Sequence, residues 1–371
     1  MNRVEEIAAK RELLRSRLAE LGLDGAVISS QAAFSWYTGG GENRVATATE
    51  IGAASIVVTP TIDYIVTNNI EGPRVSAEAV PAQSGFQIVE TSWHRPGRLA
   101  EKVREITGEG RFVADSHLWD LPPLPPEVVE LSYRLMEPEI ERYREVGRES
   151  SFATEGACHR AEPGMTEEEV AAVVAEEVYA RGLVPTVILV GSDERTERFR
   201  HPLPTEKRID RSLMVVVCAR RWGLTANLTR MVYFGRVLPP DLAAKHRAVQ
   251  QVDAAFILAT REGREVGEVF NDGLTCYDAN GFRDEWRQHH QGGPTGYQGR
   301  SYKARAGEKR LVMGNQAFAW NPSIAGTKSE DTVLVPPGGG VAELLTPPLD
   351  WPTREAEWGG ETIPRAEILL L

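Results

Sequence analysis

Cysteine is scarce in this chain: Cys158, Cys218 and Cys276 are the three in 371 residues. An odd, widely spaced set does not suit a disulfide framework and reads as reduced, packed thiols, in keeping with a cytoplasmic protein. Cys218, inside an apolar run, reads as a small core hydrophobe rather than a nucleophile. No apolar stretch reaches bilayer length, and residues 1–23 read as a charged amphipathic helix without the apolar centre of a signal peptide, so no membrane partner is expected. Positive charge is also in deficit: 42 Lys and Arg against 53 Asp and Glu give a net charge of −11, which argues against nucleic acid as a partner. Low-complexity tracts and internal repeats are missing as well.

What is present is an ordinary globular composition, 42% hydrophobic and 26% charged, in a chain long enough for two cores. The run Leu121-Pro122-Pro123-Leu124-Pro125-Pro126 forbids helix continuation and punctuates the chain most clearly. It divides an expected α/β domain at 1–130 from an expected α+β domain at 131–371. In the first, strands are expected at Gly25–Ser29, Ala54–Pro60 and Asp63–Thr67, with Asn43, Arg44, Asn68 and Asn69 on loops, where they either reach a site or, as most loop residues do, face solvent. In the second, Glu137 opens a long charged helix. Thr166 and Glu169 have capping-box spacing ahead of Val170, Val173, Val174 and Val178, expected as core. Helices are expected at Pro240–Arg261 and at Val266–Gln288, the latter running into His289-His290.

The centre of the chain carries the densest pattern. Phe199-Arg200-His201-Pro202 precedes an apolar strand over Leu213–Ala219, and Gly223 marks a tight turn into a strand ending near Tyr233. Downstream come Asn227-Leu228-Thr229-Arg230, then His289-His290-Gln291-Gly292-Gly293-Pro294-Thr295-Gly296, then Asn321-Pro322, then Lys328-Ser329-Glu330-Asp331-Thr332. This ordered series resembles the pita-bread hydrolases, the family of methionine aminopeptidase, aminopeptidase P, prolidase and creatinase. The resemblance implies a small creatinase-like α/β domain, in which Tyr37-Thr38-Gly39 matches a family segment. It also implies a pseudo-two-fold pita-bread domain with a curved antiparallel sheet and flanking helices.

The family holds two divalent ions on five residues, which the register places at Val216, Asn227, Gly293, Asn321 and Glu330. Only the last is a carboxylate, and hard cations select charged oxygen. The expectation is therefore a site without metal and without other cofactor. Creatinase, a metal-free relative, uses as base the His matched here by His201. His289 matches a substrate-facing His, although a surface His capping a helix end is the plainer alternative. His290 is expected to be structural. Glu330 is expected to anchor a cation or orient His201, and Arg300 to meet a substrate carboxylate or solvent. Asn227 and Asn321 are expected to bind substrate, with Tyr297, Trp222 and Trp320 as walls or plain core.

Three functions remain open. One is metal-independent hydrolysis of a small C–N substrate, amide or amidine, with His201 as general base. The second is an Xaa-Pro dipeptidase or aminopeptidase acting on a dipeptide-like substrate. The third is a silent peptide-binding domain of the kind found in a histone-chaperone subunit. Family resemblance adds the expectation of a homodimer.

Overall fold

A computed structural model describes residues 1–95 and 97–371. They form two compact units, one of Met1–Ile140 with Trp222–Leu224 and one of Glu141–Arg221 with Thr225–Leu371.

The first unit begins with helix α1 (Arg3–Glu20), closed by a capping box between Asn2 and Glu5. Strand β1 (Gly25–Ser30) follows, then α2 (Gln31–Tyr37), β2 (Ile51–Val58), β3 (Asp63–Asn68), β4 (Phe86–Thr91), α3 (Arg98–Thr107) and β5 (Phe112–Ala114). The five strands form one sheet in the order β4-β3-β2-β1-β5. β1 and β2 pair antiparallel, as do β2 and β3, while β3–β4 and β1–β5 are parallel. The Phe34–Tyr37 stretch is helical, started by the Ser30 hydroxyl accepting from Ala33 N. Asn43 is wholly buried and donates to the carbonyls of Ser29 and Ala54, Arg44 pairs with Glu42, and Asn68 caps the turn at Ile70. These side chains hold local structure.

The second unit is entered by α4 (Glu137–Arg160) and α5 (Glu167–Ala180). The expected capping box closes α5: Glu169 N donates to Thr166 Oγ1 at 3.1 Å and Thr166 N to Glu169 Oε2 at 2.7 Å. Val170, Val174 and Val178, four residues apart, are fully buried. Val173 is only half-buried, because it lies beside that line.

Strand β6 (Val184–Ser192) pairs antiparallel with β7 (Ser212–Arg221), which turns back into β8 (Leu224–Tyr233). The turn residues Trp222 and Gly223 both have positive φ, 54° and 79°, the requirement of a type I′ hairpin turn, and this explains the glycine. Helix α6 (Glu194–Arg198) lies in the charged segment before His201.

Helices α7 (Pro240–Ala259) and α8 (Val266–Ala279) share one apolar core with a second sheet. Here the expected helix to Gln288 is corrected. It stops at Ala279, where Asn280 Nδ2 returns to Cys276 O and Gly281 takes φ 83°, a glycine stop that apolar periodicity hides. A short 3₁₀ turn, Glu285–Gln288, then leads into His289.

Strands β9 (Gly292–Thr295), β10 (Ala317–Trp320), β11 (Ser323–Ile324), β12 (Thr327–Lys328), β13 (Asp331–Leu334) and β14 (Glu343–Leu344) follow. Their main sheet is antiparallel in the order β14-β13-β10-β9, with β11 and β12 paired separately. The chain closes with the hairpin β15 (Thr353–Trp358) and β16 (Glu361–Ala366), and with β17 (Leu369–Leu370), which pairs parallel to β8.

Trp320 belongs to the core: it is wholly buried, stacks on Phe256 with centroids 4.6 Å apart, and donates through Nε1 to Thr260 Oγ1. No helix among the described residues is long and apolar enough to cross a membrane.

Candidate active site

His201 follows α6 in an extended segment, and its ring is exposed. Two contacts position it. Pro202 lies against Gly191 of β6, where an added Cβ would stand 2.5 Å from the proline ring, so glycine is what admits the close approach. Arg200 forms an ion pair with Glu285 in the 3₁₀ turn, and Glu285 also accepts from Ala325 N. The segment that carries His201 is thereby clasped to the turn that delivers His289.

His289 leaves that turn in extended conformation, φ −155° and ψ 144°, and its side chain is buried. Its Nε2 lies 3.0 Å from Nε2 of His201, and its Nδ1 is 3.4 Å from Ser323 Oγ. The carbonyl of His289 accepts from Gln291 Nε2 at 2.6 Å, and Gln291 Oε1 in turn accepts from the Tyr277 hydroxyl. His290 joins the group: a nitrogen from each of His201, His289 and His290 falls within 4.8 Å of the others. Its Nδ1 is buried and has no hydrogen-bond partner among the described residues.

Glu330 is almost fully buried and saturated with donors. Lys328 Nζ lies 2.6 Å and Thr229 Oγ1 2.8 Å from its Oε2, while Arg300 Nη2 lies 3.0 Å from its Oε1. Burial alone would raise this carboxyl, but Lys328 and Arg300 outweigh it and hold it at about 2. The cations that this carboxylate anchors are the chain's own. Arg300 faces inward onto it with Nε buried and unpartnered.

Burial, followed by the charge of Lys328, lowers His201 below the ordinary imidazole value and pushes His289 down to about 2. His290 falls to about 4, by burial first and then by Arg300 and Lys303. The three rings are neutral at pH 7, so each pairs a donor nitrogen with an acceptor one.

Asn227 on β8 is buried and donates through Nδ2 to Thr295 Oγ1 at 3.1 Å. Asn321, just past β10, donates its backbone N to Gln291 O. In both residues the Oδ1 is buried without a partner among the described residues. Tyr297 is buried directly after Gly296. Trp222 sits in the hairpin turn and is counted with the first unit. Cys218 is pushed up to about 12 by burial and so stays a thiol.

Lys328, Lys303, Ser323 and the Arg200–Glu285 clasp were missed in sequence reasoning. Only Lys328 had a signal, since residues two apart in an extended strand share a face with Glu330.

The five positions that the resemblance assigns to a metal pair do not fit one. Val216 packs in an apolar cluster with Leu189, Met214 and Met231. Asn227 and Asn321 are neutral amides. Gly293 has φ 145°, and an added Cβ would lie 2.5 Å from Tyr302 O, so no imidazole has room there. Glu330 is already neutralised by two cations. One compensated carboxylate does not offset the desolvation of two dications.

No curated protein matches the chain. Among solved structures, the chain is similar to dipeptidase PepE from Mycobacterium ulcerans, with 18% identity over 99% of this chain and 98% of that one and a TM-score of 0.77. The Xaa-Pro dipeptidase of Bacillus anthracis is 18% identical over 98% and 100% of the two chains, TM-score 0.76. The prolidase of Thermococcus sibiricus is 15% identical over the whole of both, TM-score 0.79. At such identity these likenesses show the pita-bread fold. Residues 141–337, more than half of the chain and all of the site just described, match metallopeptidase family M24, and the chain belongs to that family.

Proposed function

We propose that the chain hydrolyses a C–N bond in a small amide- or amidine-like substrate, with His201 as general base and no divalent metal pair. The observation that carries this reading is the 3.0 Å contact between the Nε2 atoms of His201 and His289. Such a contact needs a hydrogen on one nitrogen and a lone pair on the other, so the pair both accepts and donates. His201, the exposed member, takes the proton of the attacking water and returns it to the departing nitrogen. His289, neutral and buried, donates to the oxygen or nitrogen that gains electron density. The orphaned Oδ1 atoms of Asn227 and Asn321 accept from substrate N–H groups. Arg300 and Lys328, not fully offset by Glu330, favour a substrate that carries a carboxylate.

Magnitude sets the substrate class. A positioned histidine contributes roughly 10²- to 10⁴-fold, and Lewis-acid polarisation worth several kcal/mol has no donor set here. The missing donor set is that of a metal pair at Val216, Asn227, Gly293, Asn321 and Glu330, and a histidine base without that pair suits a strained or polarised C–N bond better than a peptide. Family membership favours a second reading, cleavage of a dipeptide-like substrate. The test is turnover of creatine-like compounds, cyclic amides and Xaa-Pro dipeptides with and without chelator. Activity that survives chelator and falls roughly 10²- to 10⁴-fold in His201→Ala supports the proposal. Metal-dependent release of proline would overturn it.

A further inference from the structure

We propose that His201, His289 and His290 form a capture site for one first-row transition ion of the zinc type, separate from the family's carboxylate positions, and that the ion silences His201 by taking its lone pair. The capture site stands on the geometry alone; the silencing rests on the base role given to His201 above. Three imidazole nitrogens within 4.8 Å of one another, two of them 3.0 Å apart, approach the edges of a tetrahedral site. With zinc–nitrogen bonds near 2.0–2.1 Å, ligand nitrogens stand about 3.3 Å apart. The His201–His289 pair already meets that spacing, and His290 needs only a small closing movement.

Three further features favour an ion. The buried Nδ1 of His290 has no partner among the described residues, so its hydrogen-bonding capacity is unspent. Moving the hydrogen of the Nε2···Nε2 contact to Nδ1 of its own ring frees both Nε2 lone pairs without changing the charge of either ring. The exposed ring of His201 leaves a fourth position open to solvent. An all-nitrogen set selects zinc, copper, nickel or cobalt over magnesium or calcium, which require oxygen. Lys328 and Lys303 act on these rings with positive charge, which weakens a dication and favours an anion such as chloride or hydroxide as the fourth ligand.

The experiment uses the full chain stripped with chelator and titrated with Zn²⁺ or Co²⁺, read by calorimetry and by Co²⁺ visible absorption, with Mg²⁺ as the contrasting arm. One Zn²⁺ or Co²⁺ per chain, tetrahedral Co²⁺ bands and no Mg²⁺ binding are expected. His290→Ala and His289→Ala should each weaken binding by more than the roughly 10- to 100-fold typical of losing a supporting contact. His201 acylation by diethyl pyrocarbonate, mapped by mass spectrometry, should be blocked by one equivalent of Zn²⁺ in the wild type and not in His290→Ala. Hydrolysis should fall with Zn²⁺ in parallel, and His290→Ala should escape this inhibition. No binding, or binding unaffected by His290→Ala and His289→Ala, overturns the capture site whatever the hydrolytic activity. Binding that leaves His201 reactive overturns the silencing. Hydrolysis that appears only with Zn²⁺ overturns both the silencing and the metal-free reaction, and leaves the capture site standing.

Discussion

Glu330 illustrates how one side chain serves charge balance and chemistry together. It is buried between Lys328 and Arg300 and held at about 2. Glu330→Gln leaves two cations without their counterion, and removal of one member of a buried pair typically costs about 3 kcal/mol or more, measurable by urea unfolding. The same substitution removes the negative charge that supports protonation of His201, a ring already below its ordinary value. The acid limb of the pH–rate profile should therefore move to lower pH in Glu330→Gln, while His201→Ala removes the limb altogether. Among the site residues, His201, His289, Glu330, Asn227, Asn321 and Arg300 could be named from motif spacing, because spacing survives when residue types change. Spacing predicts a structural His290, whereas the approach of two adjacent rings in an extended segment to His201 depends on side-chain directions, which spacing does not encode.

At the scale of elements, the helix–strand order was legible from periodicity and turn residues, as the capped α5 and the Gly223 hairpin demonstrate. The end of α8 was not, because a short 3₁₀ turn beyond Gly281 extends the polar helical look of the sequence to Gln288. Helix α7 carries a further consequence. His246 is buried with Nδ1 2.7 Å from Thr327 Oγ1 and Nε2 3.1 Å from Ala366 O, and burial lowers it to about 4. Its folded value lies below the unfolded one, near 6.5, so the unfolded chain binds the proton more readily and stability falls as pH drops from about 6.5 toward 4. Between pH 7.5 and 5 the loss from this group is on the order of 2 kcal/mol. Urea unfolding at both pH values checks this, and His246→Gln should reduce the difference.

For the whole molecule, the net charge of −11 and isoelectric point near 5.3 predict that duplex DNA in a gel-shift assay at physiological salt will not be retained, since phosphate binding needs a basic face. The family resemblance predicts a homodimer, and sedimentation velocity at micromolar concentration is the check. A shifted DNA band would contradict the charge argument, and a single monomer boundary would contradict the assembly.

The left-handed backbone at Gly293, pressed against the Tyr302 carbonyl, makes the absence of an imidazole there hard to reverse. Gly293→His alone would have to displace main chain before it offered a nitrogen to anything, and would be paid for in folding with no cation gained. Dinuclear chemistry on this scaffold would therefore need several coordinated changes, with main chain moved before any side chain could help.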